Sequence, residues 1–333
     1  MEINPLKFGD SFAMSRRKED RYLGMYLHED GTAASVAATV GRRTGKFKGA
    51  AFEIRSVIEE FSMQAMGGMT AAKVLLERAL LPSLLSGACN WTGVMKSTEE
   101  ECDSMIYLYW RIMLKVPEGT PKVALVAETA TLRTRWRIWE AKALMVVRLQ
   151  QQDLSSLARQ VYEQQLALGW PGLAKEVSEI CKTVGLPDVN FNKVKKEKIQ
   201  EMIFYHHYKD LKEELDRSKK MEAVKHEDFR VAQTYLEDKS IERCRTKFRI
   251  RTNLLKTFKD NFRNNYRQKE RGQEDSDPGL QCNDCLTPHT RDTQAHCLTC
   301  PAWEQLRTGL DLTDIEDLVT YFRRVLERRS KKE

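Results

Sequence analysis

The chain has 333 residues, of which 41% are hydrophobic and 31% charged, with a formal net charge of +7. That length accommodates two or three domains, and the apolar content suffices for at least one sizeable core. Stretches such as Val74-Leu-Leu-Glu-Arg-Ala-Leu-Leu-Pro-Ser-Leu-Leu are broken by charge or proline before membrane-spanning length, so no transmembrane helix and no membrane partner are expected.

The first fifty residues carry glycines and a β-leaning piece, Asp20 to His28, with Glu29-Asp-Gly31 as a hairpin-like turn, and read as the end of a sheet. Helical period follows. Phe52, Val57, Ile58, Phe61 and Ala65 share a face that Gly67-Gly68 interrupts, and Thr70 opens a second helix running through Leu85 to Gly87. Ser97-x-x-Glu100 has capping-box spacing ahead of Cys102, Met105, Ile106, Tyr109, Trp110 and Met113, and Pro117 and Pro121 close that helix. A further helix from about Arg133 to Leu149 presents Trp136, Trp139, Ala143, Val146 and Val147 as a buried stripe. Asp153 is placed to cap a helix to Leu168, stopped by Gly169-Trp-Pro-Gly172, and Leu173 to Val184 forms its partner, ended by Gly185-Leu-Pro187. From Lys193 to about Lys239 the sparse apolar spacing of Ile199, Met202, Ile203, Leu211, Leu215 and Met221 predicts long, well-solvated helices. His206 and His207 point about 100° apart on such a helix and read as packing or surface residues rather than chelators. Past a linker at Arg271 to Gly279, a last helix opens at Thr313-x-x-Glu316, with Ile315, Leu318, Val319, Phe322 and Val325 on one face. The fold class is therefore mainly α, with a short N-terminal β segment, a multi-helix body, and a small C-terminal knuckle followed by a terminal helix.

Charge is concentrated between Ile241 and Arg271, where eleven Lys or Arg face three acids, a local excess greater than that of the whole chain. Arg243, Arg245, Lys247, Arg249 and Arg251 alternate as on a strand with a basic edge, and Phe258, Phe262 and Tyr266 recur every four residues as on a helix. Together with Lys256, Lys259, Arg263, Arg267 and Lys269, these are candidate phosphate contacts, with the aromatics available to stack bases, so RNA or DNA is the expected partner. The competing reading is a basic solvated face over buried aromatics.

Four of the eight cysteines lie in one short segment: Cys282-Asn-Asp-Cys285, then His296-Cys297-Leu-Thr-Cys300. A thiolate pair two residues apart wraps one side of a Zn²⁺, and a His or Cys pair from the next turn closes the other. Two closures fit, Cys282, Cys285, Cys300 and either His296 or Cys297. Either is a structural site with Zn²⁺ as the cofactor. Cys89, Cys102, Cys181 and Cys244 are scattered as single reduced core cysteines, and Met1-Glu-Ile-Asn-Pro does not read as a secretory signal, so a reducing compartment, cytoplasmic or nuclear, is expected. No P-loop, dinucleotide loop, Gly-x-Ser-x-Gly elbow or His-Glu-x-x-His occurs, and no enzyme activity is expected.

Several segments in order resemble the C-terminal part of the polyprotein of non-LTR (LINE-like) retrotransposons. Arg21-Tyr-Leu-Gly24 is similar to a primer grip, and Leu76-Glu-Arg-Ala-Leu-Leu-Pro-Ser-Leu-Leu-Ser-Gly87 with Trp91 resembles a thumb helix. Pro121-x-x-Ala124-Leu125-x-x-Glu128 is similar to a motif beyond the thumb, and Cys282, Cys285, His296 and Cys300-Pro-Ala-Trp303 resemble the terminal Cys-Cys-His-Cys knuckle. The resemblance implies a palm and primer-grip remnant over 1–50, thumb-like helices over 51–115, and a helical connection over 116–271 that carries the basic block at 241–271. A linker over 272–281 and the knuckle with its terminal helix over 282–333 complete the plan. It also implies contact with template RNA and primer or target DNA, and with any remainder of the polyprotein. The family's Ala-Asp-Asp metal-binding strand is absent from this sequence, and His296-x-x-x-Cys300 is one residue tighter than the common knuckle spacing. The alternative to a nucleic-acid-gripping fragment is a helical, zinc-stabilised protein-interaction module.

Overall fold

Helix α1, Thr32–Phe61, begins some twenty residues before the apolar face that marks it in the sequence. In the computed structural model the described residues are 19–22, 25–28, 30, 32–61, 68–186, 194–218, 221, 224, 226–252, 254, 282, 284–285, 294–312 and 314–330. The core side of α1 is written at helical spacing by Val36, Val40, Thr44, Phe47, Ala51 and Ile58, all buried. Gly41, Gly45 and Gly49 fall on its open side, where an added Cβ would meet nothing. Their presence disguises the helix in the sequence, because glycine costs about 1 kcal/mol in a helix interior and reads as loop. Among the described residues of the first fifty, the expected sheet end is a two-stranded sheet, and from Thr32 onward the segment is helical, where no helix is expected from the sequence. Strand β1, Glu19–Tyr22, pairs antiparallel with β2, Met25–His28, with Tyr22 opposite Met25, and of the turn expected at 29–31 the described residue, Asp30, lies in a turn.

Next come α2, Gly68–Leu75, a π-helical turn, Leu76–Leu80, and α3, Leu81–Leu84, followed by α4, Lys96–Leu114, and α5, Lys122–Thr129. Gly68 opens α2 because Ile241 presses on it: a Cβ there would lie 2.5 Å from the Ile241 Cδ1. Then follow α6, Thr134–Gln150, α7, Leu157–Leu168, α8, Leu173–Val184, and α9, Lys196–Arg217. The cap expected at Asp153 is displaced. Ser156 occupies the N-cap of α7, while Asp153 accepts from the Ser155 backbone N–H and hydroxyl one turn earlier. Gly169 and Gly185 end α7 and α8 in the left-handed conformation that glycine adopts without strain. Among the described residues between α9 and α10, Ile241–Arg251, no further α-helix occurs and a 3-10 turn spans Thr234–Glu237, so of the long solvated helices expected up to Lys239 one is seen. The C-terminal elements are α11, Gln294–Thr299, a 3-10 turn, Pro301–Trp303, α12, Glu304–Arg307, and α13, Ile315–Ser330. Mainly α is the observed class.

The chain divides into two units. The first comprises Met1–Val57, Ala72–Trp110 and Thr131–Leu211. One of its cores gathers Trp136, Val146 and Leu149 from α6, Tyr162 from α7, Val177, Ile180 and Val184 from α8, and Ile199 and Ile203 from α9. Each such aliphatic side chain contributes about 1.5–3 kcal/mol on burial. Trp136 meets Trp139 edge to face at 5.0 Å, and His206 and His207 pack against Trp136, as expected of packing residues. Tyr109 donates to the Ala72 carbonyl at 2.6 Å and Trp110 to Thr131 at 2.9 Å. The second unit comprises Ile58–Ala71, Arg111–Ala130 and Lys212–Glu333. Its C-terminal core is built by Cys282, Cys297, Cys300, Trp303, Val319, Tyr321, Phe322 and Val325, and takes in Ile250 from α10. The knuckle therefore shares its core with the helix that carries the basic block. No helix among the described residues is long and apolar enough to cross a membrane.

Candidate metal centre

Two local devices deliver the four ligands. The first is the turn from Cys282 to Cys285; the second is α11, which carries His296 one helical turn ahead of Cys300, so that both side chains leave on the same face. The ligand atoms of Cys282, Cys285, His296 and Cys300 all lie within 4.8 Å of one another and can hold a metal ion. Cys282 Sγ lies 4.0 Å from Cys300 Sγ, and Cys285 Sγ lies 3.3 Å from His296 Nε2. Burial pushes the Cys282 thiol upward and the Cys300 thiol up to about 12, with neighbouring sulfurs adding to the second shift. Such crowded thiols resist ionisation until a cation supplies countercharge.

Cys297 is not part of the cluster. Its side chain turns into the C-terminal core, with Sγ 3.5 Å from the Tyr321 hydroxyl, and that hydroxyl donates to the Cys297 carbonyl. Of the two closures open in the sequence, the structure assembles the one with His296. The surroundings hold both devices in place. Asp284, inside the Cys282 to Cys285 turn, accepts from Arg329 Nε of α13 at 2.9 Å, and Arg307 of α12 donates to the Cys300 carbonyl at 2.9 Å. The guanidinium groups of Arg328 and Arg329 lie about 6 Å from the ring of buried Trp303. Asp284, Arg307 and Arg329 escape a sequence reading because their partners lie up to 45 residues away; the acid lodged inside the Cys-x-x-Cys turn is the one local hint.

The chain matches no family model, no curated protein and no solved structure.

The basic block is placed quite differently from the metal ligands. Ile241–Arg251 is a helix, which corrects the expected strand with a basic edge, and its cations are largely engaged inside the protein. Arg245 is 2% exposed, donates to the Met113 carbonyl at 2.8 Å, and pairs with Glu59 at 2.7 Å and with Glu242. Lys247 is buried against Glu316 and Asp238. Arg251 makes a double contact with Glu128, at 2.9 Å to one oxygen, and a second with Glu227. Glu128 is fully buried and also accepts from Tyr235 at 2.8 Å. Burial raises the Glu128 carboxyl, with Arg251 pulling against it, while Arg251 stays above its ordinary value despite burial because Glu128 and Glu227 hold its charge. Exposed Arg243 lies on Glu316 and Asp238, and Arg249 donates to the Lys115 carbonyl at 2.9 Å. Arg245, Lys247 and Arg251 are therefore removed from the candidate phosphate contacts, since each already has buried or half-buried anionic partners. Lys256, Lys259, Arg263, Arg267 and Lys269, with the aromatic stripe, lie outside the described residues, as does the linker at 272–281.

Proposed function

We propose that the chain is a noncatalytic nucleic-acid-binding module of the kind that ends a non-LTR retrotransposon reverse transcriptase, folded at its C-terminal end around one Zn²⁺. The observation that carries the reading is the cluster of Cys282, Cys285, His296 and Cys300. Three thiolates and an imidazole are a ligand set of structural zinc. A tetrahedron with bonds of about 2.3 Å to sulfur and about 2.0 Å to nitrogen has edges of about 3.5 to 3.8 Å, and the separations of 4.0 and 3.3 Å bracket them. Zinc held by four protein ligands has no open position for a reacting water, so its part is to fix the fold. Stoichiometric zinc in purified protein, replaceable by Co²⁺ with the visible spectrum of a tetrahedral thiolate complex, is the expected result; metal-free protein in which the thiols of Cys282, Cys285 and Cys300 are freely alkylated would refute it.

Nucleic-acid contact rests on the resemblance and on Lys256, Lys259, Arg263, Arg267 and Lys269, five cations in a segment with one acid, Asp260. Binding to mixed-sequence RNA should weaken with salt, and replacing Lys259, Arg263, Arg267 and Lys269 by Ala should flatten the salt dependence by about 0.7 for each phosphate of a single strand that is no longer neutralised. Superimposable salt plots for the two proteins would exclude this segment as the contact. One observation favours the protein-interaction reading: the internal pairing of Arg243, Arg245, Lys247 and Arg251. Wild-type binding that is absent or indifferent to salt would select that reading. Primer extension with Mg²⁺ or Mn²⁺ should give no product, because no Ala-Asp-Asp strand is present to clamp the metals.

A further inference from the structure

Six large apolar side chains in a span of seventeen residues stand open to solvent on and beside α7: Leu154, Leu157, Val161, Leu166, Leu168 and Trp170. They are half of all the exposed large hydrophobics among the described residues, so the cluster is not the scatter that every surface carries. The helix contributes only Tyr162 to the core. Leu157, Val161 and Leu168 fall within about 40° on the wheel and form one stripe, extended by Leu154 before the helix and Trp170 after it. We propose that this stripe is the contact for a second copy of the chain, packed antiparallel on α7 about a two-fold axis.

Charge points to that occupant. The ionic side chains of α7 are Arg159 and Glu163, and they pair with each other at 2.8 Å. A polyanion finds no net positive charge on α7, and between Leu154 and Trp170 a membrane surface finds no Lys or Arg besides Arg159, which is already paired. A two-fold contact sets a surface against itself, so uncompensated charge would repel, and the two charges of α7 itself cancel. The apolar residues are also self-matching. With the axis between Tyr162 and Glu163, Leu157 of one copy faces Leu168 of the other, Val161 faces Gln164, and Leu154 approaches the Trp170 end. The exposed stripe presents on the order of 500 Å² of apolar surface, the upper range for a monomer's largest patch. With the flanking Gln160 and Gln164 it approaches the roughly 800 Å² per partner of a standard interface.

Sedimentation equilibrium of the full chain tests the pairing. The wild type should be a dimer that dissociates on dilution. Leu157→Glu and Leu168→Lys should each weaken association roughly a hundredfold or more, since each change counts twice across a two-fold axis and removing one apolar anchor is worth about tenfold. Both positions are exposed, so helix content by circular dichroism should not change. The double variant Leu157→Glu/Leu168→Lys should recover dimerisation, because the introduced carboxylate of one copy then faces the introduced ammonium of the other. A wild type that stays monomeric at every concentration, single variants that still dimerise, or a double variant that stays monomeric would each overturn the proposal.

Discussion

Cys297 and His296 are neighbours in sequence, and their fates are decided by a residue twenty-four positions away. Tyr321 takes the Cys297 side chain and carbonyl into the core and leaves His296 to the cluster. Cys297→Ala should accordingly keep full metal stoichiometry, whereas His296→Ala should lose affinity by at least tenfold, read by competition with a chromophoric chelator. The Cys-x-x-Cys and His-x-x-x-Cys spacings are legible in the sequence because they are local; the choice between two adjacent ligands is not, because it depends on a contact from another helix. Glu128 poses a different case. It is fully buried between Arg251 and Tyr235. Glu128→Ala should destabilise the protein by about 3–5 kcal/mol in chemical denaturation, since it strips a buried guanidinium of one of its two carboxylates.

Among the elements, α10 shows where sequence reading stops. Its alternating cations read as an open basic edge because the partners Glu59, Glu128, Glu227 and Glu316 lie elsewhere in the chain, up to 186 residues from the cation each one meets. Lys247 and Arg243 of α10 hold the Glu316 carboxyl of α13 below the usual glutamate range by hydrogen bonding and charge. A carboxyl with a depressed folded pKa stabilises above its unfolded value, about 4.3, and loses that contribution as pH falls through the lower folded value. The difference in unfolding free energy between wild type and Glu316→Gln should thus be full at neutral pH and should close on acidification; a gap that widens would contradict the pairing. The opening of α2 rests on sterics instead. Gly67-Gly68 reads as a simple breaker, yet Gly68 lies under Ile241, and Gly68→Ala should cost about 1–3 kcal/mol through overpacking, partly relieved when Ile241→Val removes the methyl it meets.

At the scale of the molecule, the helical class and most helix positions are readable from periodicity, as Trp136, Val146, Ile199 and Ile203 show by landing in one core. The partition of the chain is less so, because a linker by composition at 272–281 does not isolate the knuckle from the helices before it: Ile250 and Phe322 belong to one core. Removing metal by chelation, or through Cys282→Ser, should therefore loosen α10 along with the knuckle. Hydrogen exchange should rise over 241–251 and 294–330 and remain slow over α6 and α8; exchange confined to 282–300 would show the knuckle to be self-contained. The same internal pairing also constrains how such a chain diverges. A cation at 251 that answers to acids at 128 and 227, and one at 245 that answers to 59, cannot drift alone. Among descendants of this sequence, charge reversals or losses at these positions should be inherited as linked sets, so that the basic block evolves at the pace of the interior rather than that of the surface.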